Sequence, residues 1–138
     1  MKKILFAALS LVLVVSCAEK KEFEQAVLEE VKKDQIEEGN KAYQFDAERM
    51  ARCVVDTTSK HMPGFFTFDP DRLTAYRNYT KMLTLSKSAD PKKTMTELRN
   101  DFGSPKALSE AHSVFAEAML NCYSALEIET EDEGDEKS

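Results

Sequence analysis

Side chains able to do covalent, acid–base or metal chemistry are few and scattered in this chain of 138 residues. Its three cysteines are Cys17, Cys53 and Cys122. A thiol can be acylated, oxidised to a disulfide or bound to a metal. Metal and redox centres favour CxxC spacing, which is missing here. Its two histidines, His61 and His112, have no second ligand at metal spacing and no neighbouring cysteine or serine motif suited to nucleophilic catalysis. His61 closes a helical stretch, where a cation is favoured, and His112 flanks an apolar stripe. Asp69, Asp71, Asp90 and Asp101 fall at expected helix ends, where capping accounts for them. Four dispersed glycines cannot build a phosphate loop, and the acidic C-terminus lacks EF-hand spacing. No metal, cofactor or catalytic set is expected, so the chain reads as a non-enzyme.

The elements that place these groups begin at the N-terminus. Residues 1–16 have the parts of an export signal: Lys2 and Lys3, an apolar core, then a small residue before a cut. Residues 4–18 are uncharged, which is shorter than the roughly 20 apolar residues of a membrane-spanning helix. Val14-Val15-Ser16-Cys17 ends the run. That stretch is similar to the lipobox of bacterial lipoproteins. The resemblance implies cleavage before Cys17, a diacylglycerol on its thiol and acylation of its freed amine. Two or three acyl chains anchor stably, whereas one binds only reversibly. Ala18, rather than the aspartate that retains such proteins at the inner membrane of enteric bacteria, implies the outer membrane facing the periplasm.

Removal of the signal takes Lys2 and Lys3, leaving 17 basic against 25 acidic residues and a net charge of −8. An acidic surface argues against nucleic acid and against electrostatic adsorption to anionic lipid. Few glycines and prolines with 32% charged residues predict long helices. With Cys17 lipidated, Cys53 and Cys122 remain as one pair in an oxidising compartment, and a disulfide is the simplest outcome. Closing a loop of that length removes about 4 kcal/mol of unfolded-chain entropy.

Residues 17–35 are densely charged with a narrow apolar stripe, Phe23, Val27 and Val31, and read as a partly helical tether. The bundle domain is expected over residues 36–128. Its first long helix covers about 36–59, with Gly39, Tyr43, Ala47, Met50, Cys53 and Val54 on one face. Pro63 and Gly64 stop it. Asp69-Pro70 starts a second helix to about residue 88, Asp90-Pro91 a short third ending at Gly103, and Ser104-Pro105 the last. Residues 129–138 read as a disordered acidic tail. The fold class is therefore all-α: three long helices and one short one, pinned by a disulfide. If that bridge joins the C-terminal ends of the first and last helices, those two run parallel.

Met62, Phe65, Phe66 and Phe68 crowd the loop after the first long helix. They either plug the top of the bundle or stay exposed as a partner-binding anchor. The architecture is similar to the pilotins, small helical lipoproteins that escort secretin subunits to the outer membrane. That resemblance implies a non-catalytic adaptor binding another envelope protein. The alternative is a carrier of an apolar small molecule or haem, in a cavity lined by Met50, Tyr76, Met82 and Met119.

Overall fold

The computed structural model describes the backbone of residues 2–37 and 46–135 and the side chains of residues 18–36 and 46–127. Among the described residues it is all-helical: α1 (Lys2–Glu37), α2 (Ala47–Ser59), α3 (Pro70–Leu83), α4 (Pro91–Asp101) and α5 (Pro105–Asp135), with a 3-10 turn over Leu85–Lys87. A disulfide joins Cys53 to Cys122, with Cα atoms 5.9 Å apart. Helices start where short polar side chains satisfy their exposed amides. Asp69 accepts from the Asp71 amide at 3.0 Å, Asp90 from Lys93 at 3.0 Å, and Ser104 from Ala107 at 3.0 Å. In each case proline follows the cap.

The segment read as a tether is a bundle helix. Phe23, Val27 and Val31 are fully buried, and α1 packs against both α2 and α3. The boundary expected at residue 36 therefore moves back to at least Glu19. A stripe at steps of four looks too narrow to fold alone, but it is the right width for a seam between two other helices. Phe23 sits beside Tyr76 and Tyr79, with ring centroids 5.7 and 5.8 Å away.

A single helix over 36–59 is also corrected. α1 ends at Glu37, while Asp46 takes non-helical angles and accepts from the Glu48 amide at 3.0 Å to start α2. Gly39 and Tyr43 lie outside the described residues. At the other end, α5 is helical through Asp135, although acidic composition predicts disorder from residue 129. The packed half of the helix supplies the costly nucleus, and each added residue then needs little. The side chains of residues 128–138 lie outside the described set.

Helix directions follow from contacts. Arg77 of α3 pairs with Glu19 at 3.3 Å, Tyr76 and Tyr79 flank Phe23, and Lys87 pairs with Glu29. Residue numbers rise together, so α1 and α3 are parallel. By contrast, Cys53 meets Cys122, while His61 and Met62 beyond the end of α2 share a cleft with Ala111 and Val114 of α5. α2 and α5 therefore run in opposite senses, not parallel. One disulfide is a single point of contact and fixes no direction. It joins the second helix, rather than the first, to the last.

Candidate docking surface

The turn between α2 and α3 is held from below. Arg72, on the first turn of α3, donates from Nε to the Pro63 carbonyl at 2.9 Å, and its two terminal nitrogens donate to the carbonyls of Ser59 and Gly64. Asp69 accepts from the Phe65 amide through Oδ2 at 3.2 Å while its Oδ1 caps α3. The Asp69 amide in turn donates to the Phe66 carbonyl at 3.1 Å. Gly64 turns the chain at φ +87, and a Cβ there meets Asp69 Cγ at 2.9 Å. Glycine meets both demands, left-handed backbone and close approach.

This scaffold turns the phenylalanines outward. Phe65 is 95% exposed, Phe66 63% and Phe68 62%. The rings of Phe66 and Phe68 stack with centroids 5.6 Å apart and planes at 6°. Of the two expectations for this loop, exposure holds and plugging does not. Met62 parts from the group: it is buried in the core, at the floor of the cleft it shares with Ala111 and Val114. The backbone on either side of the three phenylalanines is committed, with the carbonyls of Ser59, Pro63 and Gly64 bound to Arg72 and the Phe65 amide to Asp69.

Sequence reasoning missed Arg72. The signal was available, because a cation in the first turn of a helix opposes the dipole and calls for another function. Here that function is to gather three carbonyls left by the end of α2 and the turn after it.

Other singled-out residues are distributed as follows. His61 lines an open cleft of about 500 Å3 together with Asp71, Asn78, Asp101 and Glu110. His112 is exposed on α5. Asp69 and Asp90 cap helices, and Asp101 pairs with Lys81 at 2.9 Å. Glu97 also reaches Lys81, at 2.8 Å, and the hydrogen bonds that the ammonium donates to the two carboxylates hold it charged above its usual range. Among the described residues no group of three histidines, cysteines, aspartates or glutamates stands ready to hold a metal ion. Met50, Tyr76, Met82 and Met119 are buried in a single core cluster, and the described clefts are lined by other residues. Cys17 lies on α1, with its side chain outside the described residues.

Among the described residues no helix is long and apolar enough to cross a membrane. No family model matches the chain, and no curated protein or solved structure is found to be similar to it. The surface just described is therefore argued on its own chemistry.

Proposed function

We propose that this protein is a non-catalytic, lipid-anchored adaptor of the bacterial envelope. In this reading Cys17 carries the lipid, and the aromatic platform is where the bundle docks on an apolar target. One observation carries it: three phenylalanines stand in water on a turn held by hydrogen bonds from Arg72 and to Asp69. Burying a phenylalanine is worth roughly 2 kcal/mol, so the platform holds several kcal/mol that folding does not use. Because Arg72 and Asp69 already fix the turn, docking loses little conformational entropy.

The test is a photoreactive phenylalanine analogue at position 66, irradiated in intact cells, with adducts identified by mass spectrometry. An adduct to one protein or to lipid, lost when Phe65 and Phe68 are changed to serine, is the expected result. A platform that reacts only with water, in cells that export and fold the protein normally, overturns the reading.

A further inference from the structure

The platform's place in the bundle names its target. We propose that Phe65, Phe66 and Phe68 insert into the same bilayer leaflet that holds the lipid on Cys17, giving the bundle a second membrane contact. This rests on the lipid-anchor reading of Cys17 and deepens the docking reading.

The register of α1 against α3 carries the argument. Because the two helices are parallel, the start of α3 lies at the Cys17 end of α1. The Phe23 ring between Tyr76 and Tyr79 sets a common level. Cys17 lies six residues before Phe23, hence about 9 Å below that level at the helical rise. Asp69 lies seven to ten residues before the two tyrosines, about 10–15 Å below it by the same measure. The start of α3 thus reaches at least to the level of Cys17, and the loop that carries the exposed rings joins it at that level. Glu19, two residues after Cys17, is already packed in the bundle with only 8% exposure. No slack separates the lipid from the folded domain.

A cleaved, lipidated chain therefore presses this end of the bundle onto the headgroups. Phenylalanines exposed at the level of the attachment point are within reach of the layer where interfacial apolar groups settle, about 5–10 Å into the boundary. Once Cys17 is anchored, the loop meets the bilayer at high effective concentration, so weak insertion suffices. Lys60, exposed beside the loop, can lay its stem along this layer and reach a phosphate. A partner protein on the same rings would have to fit between the bundle and the membrane. With both contacts made, α1 stands away from the surface and the opposite end of the bundle faces the aqueous compartment.

The chain contains no tryptophan, so a single introduced one reports alone. Full-length protein carrying Phe66→Trp is purified lipidated from cells. It is reconstituted in phosphatidylethanolamine–phosphatidylglycerol vesicles with or without brominated acyl chains. Ile36→Trp serves as the reference, since Ile36 is 79% exposed and lies 19 residues along α1 from Cys17, about 28 Å by helical rise. The expected result is a blue-shifted emission at position 66 that bromines quench, and no quenching at position 36. Vesicle-bound protein whose position 66 is not quenched overturns insertion and leaves the anchor standing, and an adduct to a single protein in cells would then assign the rings to that partner. Protein that does not float with the vesicles overturns the anchor, and insertion with it.

Discussion

Replacing Phe23 by alanine discriminates between a tether and a core helix. A tether residue is solvated in folded and unfolded chains alike, and its truncation leaves stability within about 0.5 kcal/mol. In the structure Phe23 is fully buried between α2 and α3, and its ring sits against Tyr76 and Tyr79 at 5.7 and 5.8 Å. Phenylalanine-to-alanine truncation in a core costs about 3–5 kcal/mol through lost transfer energy and the cavity left behind. Two aromatic neighbours place this site in the upper half of that range, because each pair adds roughly 0.5–1.5 kcal/mol beyond area burial. A domain of this size has about 5–15 kcal/mol in total, so the variant sits near the edge of stability. Urea unfolding followed by circular dichroism should show the midpoint falling by roughly 2 M at an ordinary slope. Ile36→Ala on the same helix, exposed, should leave the midpoint in place. A Phe23→Ala change below about 1 kcal/mol, matching that of Ile36→Ala, would refute the packing of α1 in the bundle.

Gly64→Ala is expected to cost about 1–3 kcal/mol, since a Cβ at φ +87 meets Asp69 Cγ at 2.9 Å. Gly103→Ala, at φ +89 with nothing within 4 Å, should cost clearly less, and equal urea midpoints for the two would sink the argument for a sterically closed turn. Tyr79 is pushed by burial from 10.0 up to about 12, so the folded state holds its proton longer than the unfolded state does. Its contribution to stability is complete below pH 10 and is lost as pH rises through 12, a difference of about 2–3 kcal/mol by linkage. Unfolding measured between those values should lose that slope in Tyr79→Phe, and an unchanged slope would show that the phenol is solvated.

What the sequence revealed and what it hid divide along a physical line. Asp69-Pro70, Asp90-Pro91 and Ser104-Pro105 were legible as helix starts because a cap and a proline act on amides within three residues. The pairing of Cys53 with Cys122 was legible because compartment and count left one partner for each. Phe23, Val27 and Val31 were visible as a stripe, yet their burial depends on Tyr76 and Tyr79, some fifty residues away. Amphipathic period tells which face turns inward, and says nothing about whether another helix is there to receive it. The same limit hid the direction of α5 against α2, and it hid Arg72, whose acceptors lie on a turn preceding it in sequence.

The aromatic run shows how far local chemistry reaches. Its composition announced an apolar cluster, but exposure was settled by three neighbouring hydrogen-bonded groups: Arg72 on the carbonyls, Asp69 on an amide, and Gly64 at a left-handed angle. Those same groups explain why the rings do not fold back, since turning them inward breaks bonds whose partners are then left partly buried. In the proposed reading, a turn tied in this way while its phenylalanines stand in water is a surface held ready for a target. The parallel register of α1 and α3 places that turn on the Cys17 side of the bundle. Under the proposed anchor and insertion, the two contacts would cooperate: lipid attachment makes aromatic contact frequent, and aromatic contact fixes the tilt that one flexible acyl linkage leaves free.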